Sequence, residues 1–351
     1  MAGMWLGLGL LFHLVGSGVW STVTAPLRGQ EGGATAFKHV AISSVRTLID
    51  NLSVEQIQYV LPADSVLKSY EDHMQQHKGI PNILKLLDGT QAFWLGNPEA
   101  DKLIIYVPGG GYCIPALPNH FSHVEALSTD LKNHGKDIGV LFLIYDLAPG
   151  AQWPRQLEQA VSLLRYAIET LGKRPSDILL QGDSSGAHLA LAVLSHLAHP
   201  KLEGSVAALS LSEKLGGAML LSPWIDFRTH FESYKENAAR DVISAKSLGR
   251  WAQAVMGDFT SDEYSHPTQA PTGWWKDLPV ARIFVGVGGD EVLLDSIVAF
   301  AKKLKAEHSE VSISLVPREF HVEPITDFLW KFPPGAQFQA MASWLNQTFA
   351  Q

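Results

Sequence analysis

From Lys102 to the end of the chain, short apolar runs alternate with segments of helical period. The strand-like runs are KLIIYVP, IGVLFLIYDLAP, DILLQ, GAMLLSP, ARIFVGVG and VSISLVP, and amphipathic segments lie between most of them. Nearly continuous apolar strands are typical of a parallel sheet that helices bury on both faces. The sequence therefore predicts an α/β fold, with a mostly parallel central sheet and helices on both faces.

Two regions interrupt this alternation. Residues 40–95 precede the sheet core and are predicted to be helical. Residues 226–278 lie between two predicted core strands and contain Trp251, Trp274 and Trp275. Such an insertion either caps a binding site or uses its aromatic side chains to pack onto the body, and the two roles are compatible. We predict one domain over residues 30–351, with cap elements at about 40–95 and 226–278.

The first 25 residues form a separate hydrophobic segment. No charged side chain precedes Arg28, and the apolar stretch approaches the roughly 20 residues that span a bilayer. The basic region and cleavage site of a secretory signal are not evident. We expect a membrane anchor, which would make the protein membrane-associated or place it in the secretory pathway, as in the endoplasmic reticulum. A cleaved signal on a secreted protein and a buried N-terminal helix are the alternatives.

Composition excludes several other classes of protein. Hydrophobic residues make up 46% of the chain and charged residues 18%, as in a globular protein. The net charge of −8 provides no basic surface for nucleic acid. The single cysteine, Cys113, excludes an intrachain disulfide and a cysteine-rich zinc site. His73 and His77 share a predicted helical face but lack an obvious further ligand, so we expect no metal and no other cofactor.

The sequence GDSSG, Gly182–Gly186, joins the strand DILLQ to the helical segment GAHLALAVLSHLA. A Gly-x-Ser-x-Gly motif between a strand and a helix is typical of a nucleophile elbow, whose glycines let the two elements approach closely. The turn presents the serine hydroxyl at the N-terminus of a helix, where developing negative charge is favoured. Ser184 is therefore the predicted nucleophile, rather than part of an ordinary turn.

A serine nucleophile needs a base, and the base needs a carboxylate that orients it. His321 follows the last predicted strand and is the candidate base. Asp290, Glu291 and Asp295 follow the strand before it and are the candidate acids. Since the carboxyl ends of parallel strands meet at one sheet edge, these side chains are expected near the elbow.

Three consecutive glycines, Gly109, Gly110 and Gly111, follow the first predicted strand. The N–H groups of Gly110 and Gly111, with that of Ser185, are predicted to form an oxyanion hole. These three residues and Gly109 are the candidates for oxyanion or substrate binding. A phosphate-binding loop is the competing interpretation. It is disfavoured because no Gly-Lys-Ser/Thr follows and because the glycine spacing of a dinucleotide-binding fingerprint is lacking.

Together these motifs resemble the α/β-hydrolase fold and, within it, the hormone-sensitive-lipase-like esterase branch. The resemblance extends from about Lys102 to the C-terminus. It rests on the glycine loop PGGG, the segment YDLAPGAQWP at Tyr145–Pro154, the elbow GDSSG, and an acid followed by a histidine. In the wider set, the chain is similar to fungal and bacterial acetylesterase and steryl-deacetylase-like proteins, some of which carry an N-terminal membrane segment.

Two positions depart from the pattern of that branch. Pro108 stands where the family usually has a histidine whose side chain supports the oxyanion loop. The acid motif aligns as EVLLD, which assigns the catalytic carboxylate to Glu291 in preference to Asp290 and makes Asp295 the second acid of the motif. Both Glu291 and Asp290 are kept as candidates.

The resemblance implies a serine hydrolase that cleaves carboxylic esters through an acyl-enzyme. The aromatic-rich insertion indicates an apolar small-molecule ester, such as a lipid, a sterol ester or an acylated secondary metabolite. An amidase, formamidase, peptidase or acyltransferase would use the same residues. A non-catalytic small-molecule receptor is disfavoured because His321 is present. Membrane association through the N-terminal segment is an expected interaction, and a homodimer paired through the last strand and helix stays open.

Overall fold

The central feature of the structure, a computed structural model that describes residues 16, 18–201 and 204–350, is an eight-stranded sheet. The strands are β1 (Ile83–Lys85), β2 (Gln91–Gly96), β3 (Lys102–Val107), β4 (Ile138–Ile144), β5 (Ile178–Asp183), β6 (Gly217–Leu221), β7 (Ile283–Gly288) and β8 (Val311–Val316). The helices are α1 (Ala36–Asn51), α2 (Val54–Val60), α3 (Ser65–Gln76), α4 (Pro118–Asn133), α5 (Arg155–Arg165), α6 (Ser185–Ala198), α7 (Ser233–Glu236), α8 (Ala245–Met256), α9 (Leu294–Glu307), α10 (Glu323–Trp330) and α11 (Ala336–Thr348).

The sheet is mostly parallel, as predicted. Its strand order is β1-β2-β4-β3-β5-β6-β7-β8. Strands β3 to β8 all pair in parallel, whereas β2 runs antiparallel to both β1 and β4. The α/β fold predicted from the sequence is confirmed, and each of the six predicted strands corresponds to one of β3 to β8. The expectation of helix throughout residues 40–95 is wrong for residues 83–95, which form β1, a turn and all but the last residue of β2.

Strands β3 to β7 are apolar along most of their length because both of their faces are buried, whereas β8 at the sheet edge is partly exposed. In β3, the side chains of Leu103, Ile105 and Val107 enter the hydrophobic cluster on one face of the sheet, and Ile104 and Tyr106 enter the cluster on the other. Successive side chains of a strand point to opposite faces, so burial on both sides requires an unbroken apolar run. Helices α5, α6 and α9 pack on the first face, and α4 and α11 pack on the second.

The beginning of the described chain is fixed to its C-terminal part. Arg318, which follows β8, donates from Nη1 to the carbonyl oxygen of Gln30 at 2.8 Å and from Nη2 to that of Gly32 at 2.5 Å. Lys38 at the start of α1 forms an ion pair with Glu323 at the start of α10. These contacts hold α1 beside the loop between β8 and α10.

The predicted hydrophobic segment, residues 1–25, lies largely outside the described residues, and its role as anchor or signal stays a prediction. Among the residues that the structure does describe, no helix has both the length and the apolar character needed to cross a membrane.

Candidate active site

Ser184 occupies a strained turn between β5 and α6. Its backbone angles are φ 52° and ψ −120°, a combination that an L-residue adopts only where the surrounding structure enforces it. A Cβ at Gly186 would collide with the backbone carbonyl of Val107, and one at Gly182 would lie 2.5 Å from the carbonyl carbon of Gly186. The two glycines therefore allow β3, β5 and α6 to meet closely enough to form the sharp turn predicted at Ser184.

Three predicted residues form one continuous chain of hydrogen bonds. The distance from Ser184 Oγ to His321 Nε2 is 2.8 Å, and that from His321 Nδ1 to Glu291 Oε2 is 3.0 Å. Each residue follows a parallel strand, β5, β8 and β7 respectively, so the sheet brings them to one edge. When the Nδ1–H donates a hydrogen bond to the carboxylate, Nε2 is free to accept a proton from the serine hydroxyl.

The carboxylate of Glu291 is fixed from its other side. Its Oε1 accepts a hydrogen bond from Ser222 Oγ at 2.7 Å and one from the Gly288 N–H at 2.5 Å. Glu291 is fully buried, and buried carboxylates require such donors to keep their charge. Both oxygens therefore have partners, and Oε2 is directed at the imidazole.

The other two candidate acids have different partners. Asp290 forms ion pairs with Arg240 at 3.2 Å and with Arg318 at 3.3 Å. Asp295 accepts a hydrogen bond from the Ser233 N–H at 2.8 Å. The structure therefore places the carboxylate of Glu291 against His321 and directs that of Asp290 to the two arginines.

The electrostatic surroundings of His321 favour its protonated form. Burial alone would lower the pKa of this imidazole. The hydrogen bond and negative charge of Glu291, together with the charges of Asp241 and Asp183, outweigh that effect and raise the pKa above its ordinary value of 6.5. The imidazole is thus suited to take up a proton from a neighbouring hydroxyl.

The glycine loop lies beside Ser184 in the same pocket. Gly110 and Gly111 adopt φ angles of 130° and 59°, and within the described ranges no group accepts a hydrogen bond from their N–H groups or from that of Ser185. Gly109, a candidate for oxyanion or substrate binding, differs from its two neighbours. Although it lines the pocket, its N–H donates to Asp183 Oδ1 at 3.0 Å, so this group supports the loop and is not directed at the oxyanion position.

Other side chains support the loop that begins with Pro108. The Tyr145 hydroxyl donates to the Pro108 carbonyl oxygen at 2.8 Å. The Tyr106 hydroxyl donates to Asp183 at 2.7 Å, and His120 Nε2 lies 3.6 Å from the same carboxylate. None of these contacts was predicted from the sequence. Tyr145 and Asp183 do belong to the YDLAP and GDSSG motifs, so a sequence signal for them was present.

The pocket above Ser184 is largely apolar and has a volume of about 170 Å³. Helix α1 contributes Val45 and Ile49, and the insertion contributes Val242, Ile243 and Trp251. Both predicted cap elements therefore supply side chains to the pocket.

The tryptophans of the insertion serve two different roles: one lines the pocket, and two pack the insertion onto the body of the protein. Trp251 packs directly on Gly111 of the glycine loop. Trp274 stacks on His199 with ring centroids 4.0 Å apart, and Trp275 meets Phe300 edge-on at 5.1 Å. Only Trp251 of the three lines the pocket, while the other two attach the insertion to the body.

His73 and His77, at the C-terminal end of α3, were considered from the sequence as a metal-binding pair and were set aside. The rings of His73 and His77 stack with centroids 4.5 Å apart, and each ring has a nitrogen 3.9 Å from a carboxylate oxygen of Glu125. In the described part of the chain, no group of three such side chains is arranged to hold a metal ion.

Comparison with known proteins places this arrangement in context. Residues 104–324 match a family described as the alpha/beta hydrolase fold. An esterase from Acinetobacter venetianus is 30% identical over 61% of this chain and 64% of its own length. An acetyl-hydrolase from Streptomyces hygroscopicus is 27% identical over 66% of this chain and 71% of its own. Steryl acetyl hydrolase 1 from Saccharomyces cerevisiae is 23% identical over 66% and 56%. The match thus spans less than two thirds of the first and third of these relatives.

Solved structures show the same architecture. The crystal structure of an esterase from the bacterial hormone-sensitive lipase family superposes with a TM-score of 0.67, over 88% of this chain and 97% of that one. The sequence identity between the two is 24%, so this likeness concerns the fold.

Proposed function

The chain belongs to the alpha/beta hydrolase fold family, and from this premise we propose that it is a serine hydrolase that cleaves carboxylic esters of apolar alcohols. The observation that carries the proposal is the hydrogen-bonded chain from Ser184 through His321 to Glu291. Esterases and acetyl-hydrolases among the sequence relatives support the same class of reaction.

In the first half of the reaction, the Ser184 hydroxyl attacks the ester carbonyl carbon. His321 Nε2 accepts the hydroxyl proton, and Glu291 stabilises the imidazolium through Nδ1. The carbonyl oxygen becomes an oxyanion, which the N–H groups of Gly110, Gly111 and Ser185 stabilise; the loss of one such donor typically costs about 10²–10³ in rate. His321 then protonates the departing alcohol oxygen, and an acyl-enzyme remains on Ser184.

In the second half, a water molecule replaces the alcohol. His321 accepts a proton from the water, whose oxygen attacks the acyl carbon and forms a second oxyanion in the same hole. Collapse of this intermediate breaks the bond to Ser184 Oγ, and His321 returns the proton to the serine. The products are a carboxylic acid and the free enzyme, and every proton passes through one imidazole.

The pocket supports a small acyl group and an apolar alcohol. Trp251 packs against the glycine loop and limits the space beside the oxyanion position. Val45, Ile49 and Leu329 provide an apolar surface for the rest of the substrate. Two of the relatives are named acetyl hydrolases, which supports acetyl esters as the first substrates to examine.

The decisive experiment is labelling of the full chain with a fluorophosphonate probe, followed by intact-mass measurement and by hydrolysis assays on p-nitrophenyl esters from acetate to palmitate. We expect a single adduct and fastest turnover of the acetate. Ser184→Ala should lose both the adduct and the hydrolysis. Ser195→Ala removes a buried hydroxyl from the same helix. The oxygen of that hydroxyl accepts a hydrogen bond from the Trp274 indole N–H and does not contact His321, so this variant should keep both the adduct and the hydrolysis. A folded protein without a Ser184-dependent adduct would refute the proposal.

A further inference from the structure

Three polar side chains of the insertion form hydrogen bonds with the main chain of the loop that carries Glu291. They are spaced four residues apart in the sequence. Ser233 Oγ donates to the Val292 carbonyl oxygen at 2.8 Å, and Asn237 Nδ2 donates to that of Glu291 at 2.6 Å. Asp241 Oδ2 accepts a hydrogen bond from the Val292 N–H at 2.7 Å. The sequence SYKENAARD thus presents a polar side chain at every fourth position to the main chain around the acid.

Asp241 also reaches the histidine. Its Oδ1 accepts hydrogen bonds from the His321 N–H at 3.0 Å and from its own neighbour, the Val242 N–H, at 2.7 Å. The side chain is fully buried, and in the described part of the chain no side-chain cation forms an ion pair with this carboxylate. Arg46 bonds instead to the Asp241 carbonyl oxygen at 2.5 Å. One carboxylate therefore joins the pocket wall, the acid loop and the histidine loop.

We propose that Asp241 is a positioning residue that aligns His321 and Glu291 with the substrate pocket. This inference rests on the function proposed above. Main-chain hydrogen bonds to a carboxylate are among the stronger ones in proteins, and here they fix the backbone of His321 and of the residue after Glu291 simultaneously. Because Val242 lines the pocket, a displacement of the insertion would be transmitted to the histidine.

The charge of Asp241 gives this role a measurable signature. His321 faces three carboxylates, those of Glu291, Asp241 and Asp183, and Asp241 itself faces His321, Glu291 and Arg46. Burial, partly opposed by the positive charge of His321, raises the pKa of Asp241 to about 6. Above that pH its negative charge favours the imidazolium. Removal of the charge should therefore lower the pKa of His321.

The test compares Asp241→Asn with Asp226→Asn in the full chain. Asp226 is a buried aspartate of the same insertion, but its carboxylate is held by Arg228 at 2.6 Å and Thr268 at 2.7 Å. The pH profile of kcat/KM for p-nitrophenyl acetate and the melting temperature are measured for each. We expect Asp241→Asn to lower kcat at least about tenfold with a smaller change in KM, and to move the acid-side midpoint down by about one unit. Asp226→Asn should lower the melting temperature without moving the midpoint.

Asp241→Glu, which keeps the charge on a longer side chain, should restore the midpoint but not the full kcat. If Asp241→Asn fails to fold, Asp241→Glu decides the matter, since wild-type kcat in that variant would overturn the proposal. An Asp241→Asn protein with wild-type kcat and midpoint would also overturn it, whatever its melting temperature.

A second readout does not depend on turnover. The low-field proton of His321 Nδ1, assigned by its loss in Glu291→Gln, can be titrated by NMR in the wild type and in Asp241→Asn. A lowered midpoint in the variant supports the positioning role even if the wild type hydrolyses none of the esters, in which case only the proposed function fails.

Discussion

Replacement of Tyr145 by phenylalanine tests whether the glycine loop needs a support in place of the family's histidine. The change removes the hydrogen bond from the Tyr145 hydroxyl to the Pro108 carbonyl oxygen, 2.8 Å long and buried. A neutral hydrogen bond of this kind contributes about 0.5–1.5 kcal/mol, and about 1.4 kcal/mol corresponds to a tenfold change in rate. If the bond fixes the oxyanion donors, kcat on p-nitrophenyl acetate should fall roughly three- to tenfold, with KM little changed.

Tyr70→Phe is the matched control for this prediction. The Tyr70 hydroxyl is also buried and donates to a main-chain oxygen, that of Trp94, at 2.7 Å, but the residue does not line the pocket. Both variants should melt at a lower temperature than the wild type, and only Tyr145→Phe should lose kcat. The reasoning fails if Tyr145→Phe is destabilised yet turns over at the wild-type rate, because the bond would then hold the fold without shaping the oxyanion hole.

Three further outcomes are expected. The kcat/KM of the wild type should rise with pH with a midpoint above 6.5, because the pKa of His321 is raised and the base must be neutral; a midpoint below 6.5 would contradict this. Glu291→Gln should lower kcat by roughly 10³–10⁴-fold, whereas Asp290→Asn should change kcat little. Steady-state kinetics of both variants measure this, and a larger loss of kcat in Asp290→Asn would contradict the assignment of Glu291. Burial raises the pKa of Glu319 from 4.5 to about 7, so the folded protein binds a proton that the unfolded chain releases, and stability falls as pH rises through that interval. Glu319→Gln should therefore stabilise the protein at pH 8 by up to about 3 kcal/mol and not below pH 4.5, as measured by urea unfolding at both pH values.

Strands β3 to β7 were predictable because burial on two faces leaves a distinct trace in sequence, whereas β8 is half exposed and was recognised as a short run rich in Val, Ile and Leu. Strands β3 to β8 lie within apolar runs bounded by turns. Strand β1 has three residues, two of them exposed, and β2 belongs to an antiparallel edge within a stretch that was assigned as helix. Helix α10 spans only eight residues and was not predicted. Short elements carry too few side chains for a period to emerge.

The serine, the acid and the histidine were predictable for a related reason. Each follows a parallel strand, and the topology brings these strand ends together regardless of the connecting segments. Tyr145 lies within the YDLAP motif, but the motif does not show its contact with the Pro108 carbonyl oxygen, and no motif marks Asp241. Asp241 meets His321 across 80 residues of chain, and nothing in local sequence reports that proximity. Gly109 was kept as a candidate for oxyanion or substrate binding beside Gly110 and Gly111 because three adjacent glycines are alike in sequence, whereas the direction of each N–H depends on the folded loop.

The ion pair between Lys38 and Glu323 joins two parts of the chain that are synthesised at very different times. The two residues are 285 positions apart, and at about 5–20 residues per second the ribosome needs roughly 15–60 s to synthesise the chain between them. During that interval, α1 exposes Val45 and Ile49 without the C-terminal segment that later lies beside them. A nascent chain that has already formed the elbow still lacks its base. The base becomes available only after His321 has been synthesised, and until then Val45 and Ile49 of α1 lack the apolar cover that the C-terminal part of the chain provides.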